Sequence, residues 1–436
     1  MMNVQQIKLT VLLTAAFGSS LTAMQAAATD EVPGAPQKNP IVLTNGVIHT
    51  ITDGIVQDGT LIFEKGKITD IGQKVKIPKS AEVIDLKGQH VYPSLIEAHS
   101  QIGLKEISAV RATRDYAETG SLNPNVKANI SVNPDSEVIS VTRANGILLA
   151  VSAPTGGRVS GLASVMQLDG WTYEDMTLQA NAALMINWPA PPSSGESPGL
   201  KILRRMFREA RAYHKARAAQ DSDQRFDIRY EALKPVLDGQ VPVMAMAHDA
   251  REIQAAVGFA EEQNIRLIIF GGHDAEHCAA LLKEHNVPVI IDAVHRRPRR
   301  RHDPYDNPYT LPQRLNKAGI AFCISGSDRS STWNARNLAY HAATAAAHGL
   351  PLEDAEKSVT LYPAQILGIA DRVGSLERGK DATLIVATGN PLETDTHIIR
   401  AYVQGRRVQL TSRHTRLYDK YREKYRQSGT PKSASR

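Results

Sequence analysis

Sulfur is scarce in this chain. Two cysteines, Cys278 and Cys323, stand among 436 residues, so no disulfide framework braces the fold even in an oxidising compartment. Neither reads as a nucleophile: Cys323 lies inside the apolar run Ile320-Ala321-Phe322-Cys323-Ile324, where a small buried hydrophobe is the ordinary occupant, and Cys278 falls on a helical stretch. Long apolar runs are missing too. The stretch beginning at Leu9 is broken by Gly18, Ser19 and Ser20, too early for a membrane-spanning helix. Aromatic residues make up 5% of the chain, and the sequence offers no aromatic or motif support for nucleic-acid binding. The formal net charge of +6 is concentrated in Arg296, Arg297, Arg299, Arg300 and Arg301 and in the tail 413–436. Such runs ordinarily mark solvated surface. A loop that overhangs a pocket and draws in anionic substrate groups stays open as an alternative.

What is present supports a large core, since 42% of the residues are hydrophobic. Residues 1–28 read as a removable signal peptide: Lys8 precedes the apolar run Leu9 to Leu13, small residues follow, and Ala26-Ala27-Ala28 offers an A-x-A cleavage site. That predicts an exported protein, periplasmic or secreted, without stable membrane insertion. After a linker at 29–39, residues 40–88 alternate short strands with Gly46, Gly54, Gly59, Gly66 and Gly72, the pattern of a small antiparallel β unit. Across 89–370, apolar runs alternate with amphipathic stretches, the pattern of parallel β-α repeats. Strands are expected at the run ending in His99 and at 147–151, 163–166, 182–186, 241–248, 265–270, 287–291 and 320–324. Eight parallel strands imply an α/β fold of the (β/α)8 TIM-like barrel type, with its active site at the strand C-termini. Residues 371–410 return to short strands and are expected to join 40–88 in one β unit. The basic tail 411–436 is polar beyond Gly429 and expected to be disordered there.

The residues just past each expected strand are then the candidates for chemistry. They are His99 and Gln101 after the first, Asn187 and Trp188 after the fourth, His248 after the fifth, His273 after the sixth, Asp292 and His295 after the seventh, and Asp328 after the eighth. His99, His248, His273 and Asp328 make a nitrogen and oxygen donor set suited to one divalent ion, zinc first. Such an ion lowers the pKa of a bound water to about 7, and Asp328 is a candidate to bind the ion, take the proton, or both. Taken singly, a histidine after a strand ordinarily caps a helix or bonds a backbone carbonyl. Their agreement in position shifts the reading toward a metal site. The polar insertion after the first strand, with Arg111, Arg114, Asn123 and Asn125, reads as a lid or substrate wall, and 155–161 as a flexible connection.

Several stretches together resemble the amidohydrolase superfamily, its imidazolonepropionase-like members in particular. They are Val91-Tyr92-Pro93-Ser94-Leu95-Ile96-Glu97-Ala98-His99, the His248 strand, Gly271-Gly272-His273, Asn334-Ala335-Arg336-Asn337-Leu338 and Pro363-Ala364-Gln365-Ile366-Leu367-Gly368. The resemblance covers about residues 40–410. It implies the barrel, a small β-sandwich built from both ends of the chain, and hydrolysis of C–N bonds in cyclic or peptide-like amides. Carried over by position, it makes His99 a strand-one ligand, His248 the strand-five ligand, His273 the strand-six ligand and Asp328 the strand-eight aspartate. Two departures stand out. Gln101 occupies the place of the family's second strand-one histidine, and its neutral amide is the poorer zinc ligand. The fourth-strand segment Ala183-Leu184-Met185-Ile186-Asn187-Trp188 holds no lysine or glutamate to bridge two ions.

The expectation is therefore a mononuclear, metal-dependent hydrolase acting on C–N bonds other than peptide bonds. Its substrate would be an amide-containing small molecule or a peptide-like amide, with no nucleic-acid partner and with homo-oligomer formation open. Gln101 and the bare fourth strand keep a second reading in play, a catalytically inactive binding or scaffold protein that has lost its metal site. A third reading is a metal-free hydrolase using Asp328 or Asp292 as general base.

Overall fold

A computed structural model describes residues 32–195, 197–219, 225–326 and 332–429. The expected signal peptide, Asp328 and the polar end beyond Gly429 lie outside the described residues. The first strands are β1 (Ile41–His49), β2 (Ile55–Glu64), β3 (Lys67–Gly72), β4 (Glu82–Asp85) and β5 (His90–Pro93). The next eight are β6 (Leu95–Ser100), β7 (Ile147–Ser152), β8 (Val159–Gln167), β9 (Thr177–Asn187), β10 (Val243–Ala247), β11 (Leu267–Gly271), β12 (Val289–Asp292) and β13 (Phe322–Ser325). The last are β14 (Leu384–Ala387), β15 (Ile398–Val403) and β16 (Arg406–Val408).

Strands β6 to β13 form one eight-stranded sheet in sequence order, and it curls into a nearly closed barrel within a mixed α/β fold. Every residue of β7, β10, β11 and β12 is buried, which is why these segments read as unbroken apolar runs. Helices cover the outer face of the later strands. The helix Ala250–Gln263, after β10, buries Ile253, Ala256, Val257 and Ala260 at helical spacing and leaves its charged residues outside.

The expectation of eight parallel strands is corrected at one place. β8 runs antiparallel to both β7 and β9, whereas the other barrel pairs are parallel. A parallel crossover takes a dozen or more residues. Only residues 153–158 separate β7 from β8, so the chain turns back on itself as a hairpin.

β6 and β13 end the strand order without a ladder between them. The seam is bridged in two other ways. The backbone at Ser358 and Val359 accepts hydrogen bonds from Ile324 N (3.0 Å) and Ile96 N (2.8 Å). The Glu97 carboxyl, fully buried, accepts from the Ser325 hydroxyl, from Gly326 N at 2.9 Å and from His99 N at 3.2 Å. Burial pushes the Glu97 carboxyl up to about 8, against those three hydrogen bonds.

The remaining eight strands form a second sheet that draws on both ends of the chain, in the order β16-β15-β14-β5-β1-β2-β3 with β4 paired to β1. β14 lies antiparallel to β5, which carries the segment leading into His99. Among the described residues no helix is long and apolar enough to cross a membrane.

Candidate metal centre

Side chains alternate along a strand, so Met244 and Met246 of β10 share a face with His248, one step past its end. Ile290 and Asp292 share a face of β12 in the same way. Met244, Met246, Ile290 and Phe270 belong to one buried apolar cluster, and His248, His273 and Asp292 stand above it at the C-terminal ends of neighbouring strands. Each offers a ligand atom within 4.8 Å of the other two.

Local structure fixes each member. Immediately after His248, Asp249 caps the helix Ala250–Gln263 by accepting from Arg251 N and Glu252 N, both at 3.0 Å. The carboxylate of Glu252 turns back and accepts from His248 N at 2.7 Å and Asp249 N at 3.2 Å, a capping box that holds the histidine's backbone in place. Gly271 pairs with Ala247 across the ladder and takes φ +103°. A Cβ at Gly271 would reach 2.5 Å from the His248 Cε1 and closer still to Nδ1, so the imidazole occupies space that only glycine leaves. Gly272 accepts no side chain either, since a Cβ there would run into Val289.

His273 Nε2 meets Asp292 Oδ1 at 2.5 Å, and Asp292 Oδ2 lies 3.9 Å from His248 Nδ1. The two imidazole rings are 4.6 Å apart at their centroids. Among the described residues the buried Nδ1 atoms of His248 and His273 have no hydrogen-bond partner. Burial pushes the Asp292 carboxyl up, but His273, His248 and Arg296 outweigh it, and the group stays below the usual carboxylate range. Burial likewise holds the His248 imidazole below its ordinary value, helped by His273 and Arg299 and opposed by Asp292. The site therefore presents a carboxylate and neutral imidazole nitrogen at neutral pH, the states a metal requires.

These residues fit a divalent ion. Two ligands roughly 2.0–2.2 Å from one tetrahedral zinc ion stand some 3.3–3.6 Å apart, and the gap of 3.9 Å between His248 Nδ1 and Asp292 Oδ2 is a few tenths of an ångström wider, within reach of a side-chain adjustment on binding. His273 meets a common second requirement, because a carboxylate on one ring nitrogen fixes the tautomer that leaves the other free to ligate.

The other expected residues are placed differently. His99 is fully buried and stacks on Phe270 at 3.9 Å, outside the three-residue cluster. Gln101 is buried and donates from Nε2 to Thr155 Oγ1 at 3.1 Å. Asn187, at the end of β9, donates to Gly157 O at 2.8 Å and Ser160 Oγ at 3.1 Å. The segment expected to be a flexible connection is thus a tied turn between β7 and β8, and the polar insertion packs on it through Thr155 N to Tyr116 O and Arg158 N to Ser121 O, both at 2.7 Å. His295 is exposed and bonds Thr344. Asp292 was visible in the sequence as the last residue of its strand, but nothing ranked it above Asp328. Gly271 stood within the resembling stretch and Arg296 within a loop that could draw in anions, but the contact of each with His248 and Asp292 depends on neighbours across the barrel and carried no sequence signal.

A cavity of about 1060 Å³ lies elsewhere. Pro242, Leu267, Val287 and Phe322 line it at the strand starts, the barrel end opposite the cluster.

Comparison with known proteins bears on the fold and the family. The model of the amidohydrolase family matches residues 244–408. Amidohydrolase tasK from Hapsidospora irregularis is 23% identical over 395 residues, 80% of this chain and 39% of that protein; the match thus spans about two fifths of that relative's length. An amidohydrolase from Thermotoga maritima MSB8 superposes with a TM-score of 0.77 at 27% identity, covering 85% of this chain and 99% of that one. An adenosine deaminase from Xanthomonas campestris, solved with bound zinc, shares the fold, with a TM-score of 0.52 at 14% identity over 90% of this chain and 100% of that one. Its barrel, its strand-end histidines and these likenesses support the amidohydrolase superfamily for this chain.

Proposed function

We propose that this protein is a metal-dependent hydrolase that cleaves a C–N bond, amide or cyclic amide, in a small molecule or peptide-like substrate, using one divalent ion with zinc as first candidate. The observation that carries the proposal is the convergence of His248, His273 and Asp292 within 4.8 Å at the C-terminal end of the barrel, where barrel enzymes place their chemistry. The likeness to that family and the zinc in a deaminase of the same fold support it.

His248 and Asp292 would hold the ion, with His273 as third ligand or as the group that orients Asp292. His99 and Asp328 are proposed additions on the sequence reading alone. When bound, such an ion supplies Lewis acidity toward a carbonyl and toward water. The chain's own part is to keep the His248 ring neutral by burial, to fix it over Gly271, and to hold Asp292 ionised between His273 and Arg296. Either Asp292 or Asp328 would receive the proton released on attack. A setting outside the cytoplasm is proposed from Lys8, the Leu9–Leu13 run and Ala26–Ala28.

The second reading, an inactive binding protein, draws on Gln101 and Asn187, neutral amides whose nitrogens donate to Thr155, Gly157 and Ser160. One experiment separates the two. Protein purified without chelators is analysed for metal and assayed on a panel of N-acyl amino acids, cyclic amides and aryl amides, beside His248→Ala and Asp292→Asn. The hydrolase reading expects about one zinc, iron or manganese per chain and turnover abolished in both variants. Absence of metal, with no turnover after zinc, manganese or iron is added, would overturn it in favour of the inactive protein.

A further inference from the structure

The five arginines of the loop after β12 have different surroundings. Arg300 is committed: Nη1 and Nη2 grip the two oxygens of Asp274 at 2.9 and 2.6 Å, a bidentate pair that ties the loop to the residue next to His273. Arg297 and Arg301 are exposed. Arg296 is different. Its side chain is only 15% exposed and Nε lies 3.9 Å from Asp292 Oδ1, while among the described residues Nε has no hydrogen-bond acceptor. Arg299 is exposed, close enough to His248 to act on its protonation, and forms no ion pair among the described residues.

Arg300 pairs with Asp274, and the charges that act on Arg296 are Asp292 and Asp303 of opposite sign and Arg299 and Arg314 of like sign. Arg314 is itself paired with Glu276, so two carboxylates balance Arg296 and Arg299, and a bound divalent ion would leave this rim positive. A guanidinium withdrawn from water with a donor unsatisfied is costly, and a planar anion offers it the matching fork. Clefts lined by one sign of charge also concentrate oppositely charged ligands.

We propose that Arg296, assisted by Arg299 at the rim, forms a receptor for a carboxylate of the substrate, close to the bond that is cleaved. The class this selects is the N-acyl amino acid or short peptide-like amide with a free carboxylate, rather than a neutral amide. The word substrate rests on the hydrolase reading above, but the anion site does not need turnover to be seen.

The test is calorimetric binding to the full, metal-loaded chain of three ligand pairs that differ only in charge: N-benzoylglycine and N-benzoylglycinamide, and the corresponding pairs built on alanine and proline. Wild type should bind the carboxylate roughly tenfold tighter or more in at least one pair, as a charge-assisted fork against a neutral contact requires. Arg296→Gln should bring that ratio to about one while leaving carboxamide affinity in place, and Arg299→Gln should lower it several-fold. Arg297→Gln, an exposed neighbour in the same loop, should leave it unchanged. No preference in any pair for wild type overturns the proposal, as does a ratio that survives Arg296→Gln. Arg299→Gln and the wild-type pairs keep it falsifiable should Arg296→Gln fail to fold. Charge preference without hydrolysis of any panel amide would count against the hydrolase reading alone, and hydrolysis without charge preference against this site alone.

Discussion

Gly271 lies against the imidazole of His248, so that a Cβ added at the glycine would stand 2.5 Å from Cε1 and closer to Nδ1. The ring's position is therefore set by an absent side chain on the adjacent strand. Gly271→Ala forces the ring to move and strains a backbone at φ +103°, a conformation that costs a side-chain-bearing residue about 1–3 kcal/mol. The expected outcome is a folded but less stable protein whose zinc affinity falls roughly 10–100-fold, the loss seen when the support of a ligand is removed. Competition with a chelator of known affinity measures it. Wild-type affinity in Gly271→Ala would show that His248 does not ligate from this position.

Acid should destabilise the protein through its buried histidines. The His341 ring, stacked on His295 at 4.1 Å, is pushed down to about 3 by burial first and by His295 second. His49 is held down to about 4 by burial and His90. In the unfolded chain both groups return to about 6.5. As pH falls below that value the unfolded chain takes up protons that the folded chain refuses, so this contribution is full above pH 6.5 and declines toward pH 3–4. Each such group contributes a slope of at most about 1.4 kcal/mol per pH unit. Urea unfolding at pH 7, 6 and 5 should show stability falling with acid, and His341→Gln should show a shallower fall from a lower starting value. Parallel curves for the two proteins would contradict the assignment.

Which features the sequence discloses follows from their range. Most of the barrel strands are legible because a strand buried on both faces is largely apolar, as at Val243–Ala247 and Leu267–Gly271. Their direction is not, because such a run reads the same both ways. The sense of β8 is dictated by the short connection 153–158 before it. His248, His273 and Asp292 were all visible at strand ends. That Asp292 belongs with the two histidines depends on β12 lying beside β11 in register, and nothing local signals that. Arg296 reads as one more basic residue in a charged loop until its distance to Asp292 is known. Asp328 stays an expectation, since it lies outside the described residues.

Restoring the family's histidine should not restore a second metal. Gln101 is buried and its amide is bonded to Thr155, while Asn187, the nearest polar residue at the end of β9, is committed to Gly157 and Ser160. No carboxylate or lysine stands there to bridge two ions. Gln101→His is therefore expected to keep a stoichiometry of about one ion per chain and to lose some stability through the broken Thr155 bond, of the order of 1 kcal/mol. Metal analysis after dialysis against zinc gives the answer, and a second tightly held ion would mean that bridging ligands come from residues not considered above.

Glu97 offers the sharpest test of how the barrel closes. β6 and β13 lack a ladder, and the Glu97 carboxyl spans the gap to Ser325 and Gly326 while also holding His99 N. Glu97→Ala deprives the buried Gly326 N–H and His99 N–H of that acceptor, at about 1–3 kcal/mol for each group left unsatisfied, and opens a void at the seam that adds to the cost. Glu97→Gln keeps the shape and an acceptor oxygen. Because burial raises the carboxyl to about 8, a neutral side chain near pH 7 resembles the native state, and the glutamine variant should lose much less. The expected order of thermal midpoints is wild type, then Glu97→Gln, then Glu97→Ala, with the last lower by several degrees. Hydrogen exchange at Ile96 and Ile324, whose amides reach across to Val359 and Ser358, should accelerate in Glu97→Ala ahead of exchange in β10 and β11. A uniform rise across the barrel, or an alanine variant as stable as wild type, would show that the 358–359 backbone closes the seam without Glu97.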